Sequence, residues 1–240
     1  MSPYFISQPI LGVSTGGPNR QQGSLQKVLK AVADAGYNAV ELSRQALGET
    51  SIDTEELAPF SFVSLHAPEL PWGKNPETET AFRNIKAIHA IRPLDCVVFH
   101  PDPVKDFSVF NGVSFPVAFE NMDWRKASHQ SVEDMERIME HNASFKFVLD
   151  VNHVYTNDKT LALAAAFYER LGARLAEIHL SGFATIHDPL FQTKQDFLID
   201  FIQDFSVPII LEGVGGVEEL RPEREYVLHA IENIVRARNA

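Results

Sequence analysis

The sequence holds a single cysteine among its 240 residues, Cys96, so no intramolecular disulfide can form and its thiol content fits a reducing compartment. Cys96 lies in the apolar run Cys96-Val97-Val98-Phe99, where a free cysteine is expected to serve as buried packing. Long hydrophobic runs are missing too: no segment approaches the roughly 20 apolar residues that cross a bilayer, and the N-terminus has no charged region followed by an apolar stretch. A cytoplasmic protein without membrane contact is expected. Cations are scarce, 21 Lys+Arg against 32 Asp+Glu, and the resulting formal charge of -11 repels phosphate backbones, which disfavours nucleic acid as a partner. Neither a GxGxxG fingerprint nor a P-loop occurs, which removes the usual support for an open nucleotide-binding sheet.

What the chain does have is ordinary globular composition, 45% hydrophobic and 22% charged, enough to bury a sizeable core. Short apolar runs recur at Ile10–Val13, Ala39–Leu42, Phe62–Leu65, Cys96–Phe99, Val117–Phe119, Phe145–Leu149, Ala176–Leu180 and Pro208–Leu211. Each is nearly continuous rather than alternating, as in parallel strands covered on both faces. Helical spacing fills most intervals. Leu25, Val28, Leu29 and Val32 repeat ahead of Gly36, placed for a left-handed C-terminal cap. Phe82, Ile85, Ile88 and Ile91 form a second stripe, and Val132, Met135, Ile138 and Met139 a third behind Ser131-x-x-Asp134. Further helices are expected over Leu161–Leu171, over Phe191–Phe205, and from Pro222 towards Arg238. The intervals Gln45–Pro59 and Phe99 to Val117 lack this periodicity and are expected to be short or irregular. The pattern predicts an α/β chain forming one (β/α)₈ TIM barrel over residues 1–240.

The ends of the runs carry the chemistry. Glu41, His66, His100, Glu120, Asp150 with His153, His179 and Glu212 stand at or just after successive strand ends. In a parallel barrel these ends converge on one rim, where active sites form. A lone histidine there is most often structural, but clustered carboxylates are costly to desolvate without a counter-charge. A bound divalent cation is the simplest solution. Mixed imidazole and carboxylate donors suit Zn²⁺, Mn²⁺, Co²⁺ or Fe²⁺, and the lack of thiolates argues against a structural zinc cage.

Glu120-Asn121, Leu149-Asp150-Val151-Asn152-His153, Glu177-Ile178-His179-Leu180-Ser181 and Leu211-Glu212-Gly213 resemble the motifs of the xylose-isomerase-like TIM barrels, a superfamily of sugar isomerases, ketose 3-epimerases and endonuclease IV. The epimerases imply a metal held by Glu120, Asp150, His179 and Glu212. They imply Glu120 and Glu212 as the catalytic acid/base pair beside a sugar carbonyl, and His153 on substrate oxygens. Endonuclease IV implies more: His66 and His100 sharing Glu120 in a second metal site, and His153 with His187 in part of a third. This chain departs from the third set at Thr185, where the three-metal enzymes carry Asp. The leading expectation is an isomerase or epimerase of a small sugar or sugar-phosphate-like substrate. The alternative is a multi-metal phosphoesterase or endonuclease-like hydrolase, and a non-catalytic sugar-binding barrel ranks third.

In the loop after the fifth strand, Trp124 is placed to stack on a sugar face and Arg125 or Lys126 to bind an anionic group, unless this is an ordinary charged surface loop. Arg44 is open to the same two readings. Glu41 suits a substrate hydrogen bond or an ion pair better than metal ligation. Trp72 fits a lid or a packed loop, and His89, His129, His141 and His229 fall away from strand ends.

Overall fold

The computed structural model describes residues 9–18, 24–43, 46–47 and 52–240; Arg44 lies outside them. Eight parallel strands close into a barrel in sequence order. They are β1 (Leu11–Ser14), β2 (Ala39–Leu42), β3 (Phe62–His66), β4 (Cys96–Phe99), β5 (Val117–Glu120), β6 (Lys146–Asp150), β7 (Leu175–Leu180) and β8 (Ile209–Leu211). Strand β8 pairs with β1 to complete the ring, Leu11 lying beside Ile209. The TIM barrel read from the sequence is therefore the fold, each strand lying within a residue or two of its predicted run.

Helix α1 (Leu25–Asp34) buries Leu25, Val28, Leu29 and Val32 against the strands. It ends at Gly36, whose φ of +88° is the left-handed conformation glycine adopts without strain. Next come α2 (Thr54–Leu57), α3 (Pro76–Ile91), α4 (Val132–His141), α5 (Val151–Asn157) and α6 (Ala162–Leu171). Ser131 caps α4, its side chain accepting from Asp134 N at 3.2 Å. The helix expected over Phe191–Phe205 is instead two short ones, α7 (Leu190–Thr193) and α8 (Asp196–Asp200), broken where Lys194 turns left-handed at φ +57°. The final helix, α9 (Leu220–Arg238), begins two residues before Pro222. Among the described residues no helix is long and apolar enough to cross a membrane.

The main core lies between strands and helices. Leu11, Val13, Val40, Leu42, Val63 and Leu65 point outward into it with the buried helix faces. Trp72 belongs there rather than in a lid: it is fully buried, stacked on Phe82 at 5.5 Å and edge-on to Phe99 at 5.0 Å. A smaller cluster of Cys96, Val98, Ala118 and Val148 occupies the barrel interior. Period-two alternation then turns His100, Glu120 and Asp150, each two residues beyond a member of that plug, inward above it. In β7 the register slips beside Phe147/Val148, so that Leu175 pairs with Phe147 and Glu177 with Val148. Ala176 is the extra residue of the bulge.

Candidate metal centre

Glu120 is the hub. Its Oε2 lies 3.4 Å from His66 Nε2 and 3.1 Å from His100 Nε2, while its Oε1 lies 3.2 Å from His179 Nδ1. One carboxylate thus faces two histidine sets with different oxygens. His179 Nδ1 also stands 3.4 Å from Glu212 Oε1. Asp150 caps α5, Oδ1 accepting from His153 N at 2.7 Å, and this leaves Oδ2 buried without a hydrogen-bond partner. His153 Nε2 lies 3.6 Å from that oxygen, and His187 Nδ1 lies 3.6 Å from Glu212 Oε2. Three ligand groups result, each with its donor atoms within 4.8 Å of one another: His66, His100 and Glu120; Glu120, Asp150, His179 and Glu212; Asp150, His153 and His187. The first two share Glu120 and the last two share Asp150.

The imidazoles are oriented as metal ligands require. A neutral ring carries one hydrogen, and a ligand ring spends it on an acceptor outside the site. His66 Nδ1 donates to Ala67 O at 3.1 Å and His153 Nδ1 to Asn121 O at 2.8 Å; a carbonyl can only accept, which leaves Nε2 bare in both neutral rings. His100 Nδ1 meets Glu69 Oε1 at 2.9 Å, and His179 Nε2 meets Glu177 Oε1 at 3.3 Å. The bare nitrogens point at Glu120 and its neighbours. Together with the orphaned Asp150 oxygen, this donor set fits divalent cations with mixed nitrogen and oxygen ligation.

The electrostatics lead the same way. Burial works against the His100 cation, but hydrogen bonds to Glu120 and Glu69 raise its pKa to about 9. Burial likewise opposes charge on His179, and the carboxylates Glu212, Glu41 and Glu120 outweigh it and raise the pKa well above the ordinary value. The carboxylates demand positive charge, and protons supply it where metal does not. Glu212 is pushed up by burial and by Glu120, Asp150 and Glu41, despite the opposing pull of His179.

Of the strand-end residues singled out in the sequence, all but Glu41 contribute to these three groups; Glu41 lies on the other side of His179, 3.2 Å from its Nε2. His187, from the loop after β7, joins them, its Nδ1 3.0 Å from Ser181 Oγ. Thr185 does not replace the aspartate of the three-metal pattern; its hydroxyl donates to Asp188 Oδ1 at 3.1 Å, closing a turn. Trp124 is 61% exposed beside the mouth, the most exposed large apolar side chain among the described residues. Arg125 is engaged by Asp123, Nε to Oδ1 at 3.0 Å and Nη2 to Oδ2 at 2.7 Å, and Asp123 Oδ2 lies 3.7 Å from His153 Nε2. Lys126 Nζ bonds Glu69 at 3.2 Å and Asp102 at 3.1 Å, tying together the loops after β3, β4 and β5.

Sequence reasoning assigned no role to Glu69, Asp123 or Asn121. Asn121 clamps the hub strands, Oδ1 accepting from Asp150 N at 2.9 Å and Nδ2 donating to Asp150 O at 3.1 Å. Its position directly after Glu120 was the one available signal. Glu69 and Asp123 sit in loops whose approach to His100 and His153 only the fold creates.

The sequence matches no protein-family model and no curated protein. Solved structures do resemble it. Endonuclease IV from Thermus thermophilus superposes with a TM-score of 0.69 at 16% identity, covering 94% of this chain and 100% of that one. The probable 3-DHS dehydratase AsbF from Bacillus anthracis gives 0.68 at 13% identity, covering 90% and 98%. A sugar phosphate isomerase/epimerase from Parabacteroides distasonis gives 0.60 at 16% identity, covering 93% and 95%. These likenesses show the fold: the chain is a closed (β/α)₈ barrel of the kind those structures share. The structures it resembles include endonucleases, isomerases or epimerases, and a probable dehydratase.

Proposed function

We propose that the chain is a divalent-metal phosphoester hydrolase acting on a small substrate such as a sugar phosphate, with at least two ions held side by side. The sharing of Glu120 between the His66–His100 set and the Asp150–His179–Glu212 set supports this reading most directly. Adjacent divalent ions, when bound, clamp the attacking and leaving oxygens of an in-line displacement at phosphorus. Glu120 presents one oxygen to each set, and Asp150 keeps Oδ2 free by spending Oδ1 on the α5 cap. The half-exposed Arg125, steadied by Asp123, is placed to take a substrate phosphate oxygen at the mouth. Trp124 offers an exposed ring beside it. A small ester suits the formal charge of -11 better than a duplex does.

A sugar isomerase or epimerase is the second reading, favoured by the completeness of the Glu120–Asp150–His179–Glu212 set alone. Glu120 and Glu212 would then pass a proton beside a carbonyl and His153 would contact substrate oxygens, but His66, His100 and His187 would have no work. The two readings part on His100→Ala. As a hydrolase the protein loses one metal per chain, and turnover of p-nitrophenyl phosphate or its diester falls at least about a hundredfold, the scale of removing one electrostatic clamp. Unchanged metal content, with ketose–aldose interconversion retained, contradicts the hydrolase.

A further inference from the structure

Beneath the metal centre, inside the barrel, lies a buried polar cluster that neither reading uses. Glu41 of β2 and Glu177 of β7 have no solvent exposure, nor has Ser64 of β3. Both oxygens of Glu41, Oε2 of Glu177 and Oγ of Ser64 lack a hydrogen-bond partner. Ser64 is the register neighbour of Glu41, and its hydroxyl faces the Glu177 carboxylate without a well-formed hydrogen bond. His179 stands over this cluster, Nε2 3.2 Å from Glu41 Oε2 and 3.3 Å from Glu177 Oε1. The ligand-capable atoms of Glu41, Glu177 and His179 all lie within 4.8 Å of one another.

A buried carboxylate with no hydrogen bond is among the costliest groups a fold can carry, and here two share one imidazole N–H. Because His179 turns Nδ1 towards Glu120 and Glu212, the hydrogen belongs on Nε2. A guest between the carboxylates therefore finds oxygen lone pairs and no bare nitrogen, which selects a hard cation. Magnesium retains several waters and calcium takes six to eight oxygens. Two carboxylates and one hydroxyl supply at most about five oxygens, too few for either shell, whereas an alkali ion, with its weaker and less directional demand, tolerates a small and irregular one. An alkali ion sheds its water more readily, and it leaves one negative charge for the Nε2–H to answer.

We propose that Glu41, Glu177 and Ser64 form a closed alkali-cation site, for Na⁺ or K⁺, under His179 and separate from the divalent centre at the mouth. The ion neutralises the carboxylate pair that holds the imidazole from below. The test is a thermal melt of the metal-saturated protein at constant ionic strength in NaCl, KCl or tetramethylammonium chloride, alongside Rb⁺-soaked crystals. Expected is a saturable rise of roughly 2–4 °C in one alkali salt over tetramethylammonium, the shift about 1 kcal/mol gives a chain of this length. The rise disappears in Glu177→Gln and weakens in Ser64→Ala, and an anomalous Rb⁺ peak lies between the two carboxylates. Equal melting in all three salts, an alkali effect untouched by both substitutions, or no peak in the wild type overturns the site. If Glu177→Gln does not fold, the Rb⁺ peak decides. Because these readouts compare monovalent salts, their failure is distinct from failure of the hydrolase reading.

Discussion

At the scale of single residues, the imidazole orientations set what titration should show. With a pKa of about 9, His100 carries a proton at pH 7 in the metal-free chain, and a metal-ligating His100 must lose it. Metal uptake at pH 7 is therefore expected to release protons. Calorimetric titration in buffers of different ionisation enthalpy measures this, and buffer-independent heats would contradict it. Asp123 gives a second case. Burial pushes its carboxyl up, but the Arg125 hydrogen bonds prevail and hold it at about 2 against an ordinary 3.8. A group so depressed contributes stability fully above 3.8, lost as pH falls to about 2. The loop carrying Trp124 should stay latched at neutral pH and release only near that lower value. Trp124 emission, read as the difference from Trp124→Phe, should show the acid transition and lose it in Asp123→Asn. Of these partnerships the sequence shows one end only. His100 stands plainly at a strand end, while Glu69 and Asp123 are loop acids like many others until the barrel closes.

At the scale of elements, strands were legible because burial on both faces writes continuous apolar runs, and the inward alternation of β4, β5 and β6 follows from the same period. The Phe191–Phe205 segment misleads because its break at Lys194 carries no glycine or proline. Tertiary bonds hold it instead: Gln195 reaches back to Phe183, Oε1 accepting from its N at 2.6 Å and Nε2 donating to its O at 3.0 Å. Gly213 matters for a related reason. A Cβ there would stand 2.4 Å from Asp188 O, so only glycine lets the segment carrying His187 lie against the end of β8. Gly213→Ala is expected to cost about 1–3 kcal/mol through forced displacement and to weaken metal binding at His187 and Glu212 more than at His66 and His100. Denaturant unfolding and site-resolved histidine NMR would check both halves; loss confined to the His66–His100 set would go against the account.

For the whole molecule, closing the barrel gathers residues from Glu41 to Glu212 around one axis. That much could be read from the strand ends, while the four-residue set built on Glu120, and the sharing of Glu120 with His66 and His100, came from the family resemblance. Which oxygen of Glu120 faces which set could not be read, because it depends on how the closed barrel turns that carboxylate. So concentrated a charge should make the fold respond to its ions. Saturation with Zn²⁺ or Mn²⁺ should stabilise the chain over its chelated form, by about 2.7 kcal/mol for each site filled at a hundredfold excess over its dissociation constant. The most direct measurement is elemental analysis of the protein purified without chelator, beside His100→Ala. The account predicts at least two divalent ions per chain, falling by one in the variant. A single ion in both proteins would contradict it.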